Sequence, residues 1–354
     1  ARYGARTLWR NPGYAAVAGL TLALGIGATT AVYSIVDAVL LRPLPYKNPE
    51  RLVAVWGQGI RDPRISKIFL DYADFDEFSR KASSLDDVFA LTWAGPAAGH
   101  VLSNSVGPAK QVLALPVSPS FFPALGANPI LGRTFVPSDE HGGCSIVLSH
   151  PFWSATFAAE RNIIGRTITL DQKPCTVLGV MPASFRFFPS AAQAWLLLDP
   201  KLRDRNVGIF ARLRPGVSVA QAQKELDALH GAVHSTGSWH EVEPVVYDLH
   251  DEFTFLASRT LRTTLIVAFA AVSLVLLIAC LNVANLLLAR LSYRQRELAV
   301  RAALGSGRSR MARQVLTEAL LLSILGTVGG LIFAEAAIRY FKWASPIELT
   351  VGAD

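Results

Sequence analysis

Two apolar stretches joined by an arginine-rich connector, together spanning Thr263 to Phe341, constrain this chain more than any other feature. From Leu265 to Leu281 no side chain is charged and Ser273 is the only polar one; Asn282 and Asn285 follow before Leu286 to Leu288. A second apolar run from Ala319 to Phe333 continues to Phe341. About twenty such residues suffice for a helix to cross the hydrocarbon core, so both runs are expected to span a bilayer. Between them Arg290, Arg294, Arg296, Arg301, Arg308, Arg310 and Arg313 face one acid, Glu297. Connectors rich in Lys and Arg are held in the cytoplasm. Leu298, Ala299, Ala302 and Ala303 fall at helical spacing, and Gly305-Ser-Gly307 supplies a helix stop, which predicts a short amphipathic helix and a turn back to the membrane.

Composition points the same way. Of 354 residues 51% are hydrophobic, more than a soluble enzyme of this length usually carries. The net charge of +7 comes largely from arginine beside apolar runs, which suits topology and anionic lipid and argues against nucleic acid as a partner.

At the other end, Arg2, Arg6 and Arg10 with Tyr3, Leu8 and Trp9 form an interfacial, cytoplasmic pattern over residues 1–13. Residues 14–41 then read as a first span continuing as a stalk. At 1.5 Å per residue about 28 residues make roughly 42 Å, longer than the hydrocarbon core. A signal peptide is the competing reading, but this run is too long and lacks a small-x-small cleavage site. Gly25 and Gly27 here, and Gly326 and Gly330 in the last span, offer small surfaces for helix packing; Asn282 and Asn285 either bond to a neighbouring helix, the favoured reading, or sit at headgroup depth. Glu335 has Arg339 four residues on and is expected to mark the outer interface. The chain begins without Met and ends at Asp354 soon after a third span, so it reads as part of a longer polypeptide.

Residues 42–262 have soluble character. Two portions look like matched β-α-β units: strand Leu52–Trp56, helix Phe69–Phe78 and strand Leu85–Thr92, then strand Val207–Leu213, helix Val219–Val233 capped by Ser218, and strand Val242–Tyr247. Between them lie short strands and turns, including a hairpin through Thr167–Leu170 and Cys175–Val180, and a helical turn over Pro151–Phe157. The fold class expected is α-helical membrane protein plus an α/β (α+β) extracytoplasmic domain. In it a lobe of residues 42–97 and 199–262 carries an inserted β-rich lobe of residues 98–198. Residues 263–288 form the second span, 289–316 the cytoplasmic helix and loop, 317–341 the third span, and 342–354 an outer end.

No P-loop, nucleophile elbow or His-Glu-x-x-His is present, so no catalytic residue is assigned and nucleotide hydrolysis is not expected of this chain. His230 and His234 share a helix face, but without a third ligand of defined spacing they read as a solvated helix end, and no metal site is assigned. Cys144 and Cys175 either form a disulfide or remain free buried thiols; sequence separation does not decide.

Several motifs occur in a fixed order: Leu22-Ala-Leu-Gly-Ile-Gly-Ala28, Val39-Leu-Leu-Arg-Pro-Leu-Pro45, Val117-Ser-Pro-Ser-Phe-Phe-Pro-Ala-Leu-Gly126, Gly165-Arg-Thr-Ile-Thr-Leu170 and Val177-Leu-Gly-Val-Met-Pro182. They are followed by Ala279-Cys-Leu-Asn-Val-Ala-Asn-Leu-Leu-Leu-Ala289 and Arg296-Glu-Leu-Ala-Val-Arg-Ala-Ala-Leu-Gly305. With the layout of spans, this chain resembles the MacB/FtsX-type permeases of ABC transporters, also called mechanotransmission permeases, and among them the duplicated orphan permeases. The resemblance implies a non-enzymatic subunit of a bacterial plasma membrane, with a porter-like lobe and an inserted β-rich lobe in the periplasm or outside the cell. It implies pairing with a second permease module or a second copy through the first two spans. It also implies a coupling helix, Arg296, Glu297, Leu298, Arg301, Leu304 and Gly305, resting on a separate cytoplasmic ABC ATPase. That subunit binds the ATP, so no cofactor belongs to this chain. Other extracytoplasmic proteins would be met through the outer lobes. The alternative is a membrane-anchored sensor or binding module without transport.

Overall fold

A computed structural model describes residues 12–62, 64, 66–92, 99–103, 109–187, 191–199, 206–234, 241–252, 261–293 and 308–344. The chain divides into two units, one holding the long helices within Ala1–Arg42 and Ser258–Ile347, the other Pro43–Ala257. Helix α1 (Pro12–Val36) begins on a proline, whose missing N–H costs nothing in a first turn. The hydroxyls of Thr21 and Ser34 turn back onto the carbonyls of Val17 and Thr30, so that these two polar groups of an apolar helix are satisfied within it. The expected single span through Leu41 changes character at Asp37. There the α-helix gives way to a π-helical turn, Asp37–Leu41, closed by Arg42 N donating to Asp37 O at 2.8 Å.

In the second unit the elements run β1 (Leu52–Gly59), β2 (Ser66–Ile68), β3 (Leu70–Asp71), α2 (Tyr72–Lys81), β4 (Leu85–Leu91), β5 (Gly99–Ser103), β6 (Lys110–Val117), α3 (Phe121–Leu125) and β7 (Leu131–Gly132). They continue as β8 (Cys144–Leu148), α4 (His150–Phe157), β9 (Thr167–Leu170), β10 (Lys173–Val180), β11 (Ala194–Leu197), β12 (Asn206–Leu213), α5 (Val219–Val233) and β13 (Val242–Asp248). The two β-α-β units do not stand side by side. The strand order β4-β12-β1-β13 interleaves them into one antiparallel sheet, the split arrangement in which each parallel pair is separated by a strand of the other unit.

This sheet is a wall between two cores. Val53 and Val55 of β1 face α2 and α5, packing with Phe78, Ala222 and Leu226. Leu52, Ala54 and Trp56 face a second core of Phe89, Phe121, Phe122, Phe187, Trp195 and Phe210. Burial on both faces explains why Leu52–Trp56 is apolar throughout. Helix α2 starts at Tyr72 rather than Phe69, because Leu70–Asp71 is used as a strand against β12. Helix α5 begins on Ser218, whose Oγ accepts from Gln221 N while Gln221 Oε1 accepts from Ser218 N at 2.8 Å.

The inserted strands close on themselves: β11-β8-β10-β9-β5-β6 pair in sequence and β6 pairs back to β11. Alternation again serves two cores, since Ile146, Leu148, Ala194 and Leu196 pack with Phe152, Trp153 and Phe157 of α4, while Val147 and Trp195 join the aromatic core. Asp171 and Gln172 take positive φ values of 49° and 65°, making the two-residue turn that joins β9 to β10. Cys144 and Cys175 stand opposite each other on β8 and β10, with Cα atoms 4.5 Å apart, and are disulfide-bonded. The motif Val117–Gly126 is fastened at each end. Ser118 Oγ accepts from Ala90 N and Ser120 Oγ donates to Val88 O, while Gly126 at φ 70° closes α3, so that Phe121 and Phe122 are driven into the aromatic core.

Helices α6 (Leu261–Tyr293) and α7 (Arg308–Ala344) complete the described chain. With α1 they make three helices long and apolar enough to cross a membrane.

Two polar anchors hold the second unit and can be tested. Arg212, on β12 and only 2% exposed, donates to the carbonyls of Lys47, Asn48 and Ala124, and its Nε lies 3.4 Å from Asp87. Arg212→Met, which keeps length and removes the donors, is expected to destabilise the protein by roughly 2–4 kcal/mol, read from the thermal or urea midpoint. Glu225 on α5 is partly buried, which would raise its pKa, but Ser83 donates to it from N and Oγ and Ser84 from N, and these bonds hold it at about 2 against an ordinary 4.5. The stability this carboxylate contributes is therefore complete above pH 4.5 and is lost as pH falls toward 2. Glu225→Gln is expected to flatten the urea midpoint across that window, leaving wild type the steeper of the two.

Candidate functional site

Two regions bear on function: the junction of the long helices, and the points where the chain enters and leaves the second unit. At the junction, α1 packs against both α6 and α7. A methyl placed on Gly27 would sit 2.7 Å from Gly330 O and 2.7 Å from Phe333 Cδ1. One on Gly326 would meet Leu22 Cβ at 2.6 Å, and one on Gly330 would meet Ala23 O and Gly27 N at 3.1 Å. The backbones of α1 and α7 thus touch where both lack side chains. On the other side a methyl placed on Gly25 would meet Leu276 Cδ1 and Ala279 Cβ of α6 at 3.1 and 3.2 Å, and Thr29 Oγ1 reaches Val272 O at 3.3 Å. Ala18, Val283 and Leu322 bury a small contact shared by all three helices.

Asn282 and Asn285 do not serve this junction; both are exposed. The stripe of α6 turned toward α1 is Val272, Leu276, Ala279 and Val283. At 100° per residue Asn282 is rotated roughly 90° from that stripe and Asn285 roughly 150°. The expectation that they pack is not met within these three helices. Glu335 is exposed and pairs with Arg339 at 2.5 Å, whereas Glu318 is buried. The connector residues Arg296, Glu297, Leu298, Arg301, Leu304 and Gly305 lie outside the described residues, between the end of α6 at Tyr293 and the start of α7 at Arg308.

In the second unit, both ends of the chain are pinned. On the incoming side Leu44 and Tyr46 are buried in the aromatic core. Tyr46 Oη donates to Arg186 O at 2.6 Å, and burial pushes its phenol well above the ordinary value. Lys47 N donates to Leu125 O, and the Arg212 guanidinium takes up the carbonyls of Lys47 and Asn48. On the outgoing side Leu249 is fully buried in the same core, and Glu252, 2% exposed, accepts from Trp56 Nε1 at 2.9 Å and pairs with Lys67. Lys67 Nζ also lies 4.5 Å from the centre of the Tyr247 ring. Sequence reasoning passed over these anchors. Arg212 left a trace, a charge at an interior position of the otherwise apolar Val207–Leu213. Glu252 left none.

Among the described residues one set of metal-ligating side chains converges: Asp74, His230 and His234. His230 and His234 are buried rather than solvated, because α2 covers the face of α5 on which they lie.

Comparison with known proteins places these features. Residues 15–229 match the MacB-like periplasmic core domain, and residues 269–352 the FtsX-like permease C-terminal segment. The macrolide export ATP-binding/permease protein MacB of Neisseria gonorrhoeae is 24% identical over 296 residues, covering 81% of this chain and 44% of that protein. Its namesake from Burkholderia lata is 28% identical over 225 residues, covering 60% and 31%. The chain thus spans less than half the length of these relatives. The periplasmic region of MacB from Actinobacillus actinomycetemcomitans is 19% identical, covering 58% of this chain and 92% of that one, with a TM-score of 0.44. With a core-domain match over more than half of its length and a permease segment behind it, the chain belongs to the MacB-like periplasmic core domain family of FtsX-like permeases.

Proposed function

We propose that this chain is the permease part of an ABC transporter of the MacB/FtsX type, and that it converts ATP-driven closure of a separate cytoplasmic ATPase into a change of shape outside the membrane. The observation that carries this reading is the pinning of both ends of the second unit, at Tyr46 and Arg212 on one side and Glu252 on the other. A domain that only binds a ligand needs no such fastening where the chain leaves for the membrane. A domain that is pulled does, because a loose end would stretch before the lobes moved. The periplasmic identity of the core domain fits the cytoplasmic placement of the arginine-rich connector. The segment from Arg296 to Gly305 then rests on the ATPase, and the glycine-lined junction lets the helices shift as levers. Pairing with a second module or a second copy, and efflux or extraction of a substrate, complete the proposal. The relatives' name joins ATP binding and permease in one protein, whereas here we assign ATP binding to a partner subunit.

Arg296, Glu297 and Arg301 changed together to Ala are expected to lower stimulation of the cognate ATPase by roughly fivefold or more, with membrane insertion unchanged. Stimulation at the wild-type level would remove the coupling role. For the lever junction, Gly27→Leu is expected to lower the thermal midpoint in detergent, by an overpacking cost of roughly 1–3 kcal/mol. Gly19→Leu on the same helix, where an added methyl meets nothing within 4 Å, should leave the midpoint in place.

A further inference from the structure

The cluster at Asp74, His230 and His234 is built from two helices distant in sequence. Asp74 lies in the first turn of α2. His230 is in the last turn of α5, and His234, one turn on, is its C-cap, donating its N–H to His230 O at 2.9 Å. All three side chains are withdrawn from solvent, Asp74 completely. His230 Nδ1 is 2.7 Å from Asp74 Oδ1, and His234 Nε2 is 3.2 Å from Asp74 Oδ2. The two rings lie 4.6 Å apart, centre to centre. The three ligand atoms all fall within 4.8 Å of one another.

Charge makes this arrangement unusual. A fully buried carboxylate ordinarily needs a cation or several donors. Here Oδ1 has one imidazole, and among the described residues Oδ2 accepts no hydrogen bond, the nearest ring nitrogen being His234 Nε2 at 3.2 Å. Two imidazolium rings this close would repel each other, so protonating both does not answer the need. A divalent cation does, since it adds charge at the carboxylate and takes up a lone pair from each neutral ring. Using Nδ1 of one histidine and Nε2 of the next lets two rings a helical turn apart aim at one point. Glu77, a turn further along α2, is occupied by Lys81 at 2.6 Å and stands outside the set.

We propose that Asp74, His230 and His234 bind a divalent transition-metal ion of the Zn2+ class, with water in the fourth position. Two imidazoles and one carboxylate favour Zn2+ over Mg2+ or Ca2+, which prefer oxygen. Any proton on a ligating nitrogen is released as the metal binds. The ion staples α2 to α5 and so stiffens the helical face of the sheet. It requires nothing of the transport reading.

The test uses the full chain purified in detergent, stripped with a chelator and titrated with Zn2+ alone. One equivalent per chain should survive gel filtration, and the thermal midpoint should rise with Zn2+ concentration. His230→Gln and His234→Gln should each weaken binding by at least about tenfold. Because the chain has other histidines, Zn2+ bound equally well by both variants would overturn the proposal, as would no retained Zn2+ in wild type. Should the variants fold poorly, Co2+ added to the stripped wild-type chain decides. The strong visible absorption of four-coordinate Co2+ supports the site, and the weak absorption of a six-coordinate aquo ion overturns it.

Discussion

A single buried guanidinium organises the extracytoplasmic unit. Arg212 sits on β12, in the middle of the sheet, and reaches carbonyls of the incoming segment at Lys47 and Asn48 and of α3 at Ala124. These three acceptors belong to parts of the chain that no backbone ladder joins. Arginine suits the task because its planar fork offers five donors in fixed directions, and because it stays charged when desolvated. A lysine could satisfy the same carbonyls only by losing the geometry. Around this bond the aromatic core closes, with Phe121 and Phe187 5.0 Å apart and Phe122 5.5 Å from Trp195. Edge-to-face contacts of this kind favour one arrangement of rings over others of equal burial.

The long helices are held by different means. In lipid, burying a leucine against another leucine gains little over leaving it in the acyl chains, so association depends on close approach and dispersion. That is why the contacts between α1 and α7 run through Gly27, Gly326 and Gly330, where backbone meets backbone. The aromatic core of the second unit resists deformation because every ring is locked by its neighbours.

Much of this was legible in the amino-acid pattern, and the parts that were not share a cause. The spans, α5 with its Ser218 cap, and the β9–β10 hairpin follow from hydropathy, capping chemistry and turn residues, all of which act over a few neighbouring positions. What alternation cannot encode is which strand pairs with which, so two β-α-β units could be recognised while their interleaving could not. The disulfide was undecided for the same reason, since only the parallel register of β8 and β10 sets Cys144 beside Cys175. His230 and His234 were visible as a pair, but nothing local in the sequence links Asp74 to them. Its proximity to them depends on the packing of α2 against α5. For Asn282 and Asn285, polarity in an apolar run marks a special position without saying which side of the helix it faces.

The sheet order also has a mechanical consequence. The chain arrives at β1 through residues 44–51 and departs from β13 through residues 249–252, and these two strands are neighbours, with Val53 opposite Asp248. Both connections therefore emerge at the same end of one antiparallel ladder. A force separating them would load its hydrogen bonds one at a time, the weakest way to hold two strands. Arg212 lies across the first connection, bonding it to β12 rather than to β13. Trp56 and Lys67 lie across the second, through Glu252. Each pin ties the exposed end of the ladder to its interior or to the strand beyond. The inserted lobe leaves this sheet from β4 and returns to it at β12, the strand beside β1.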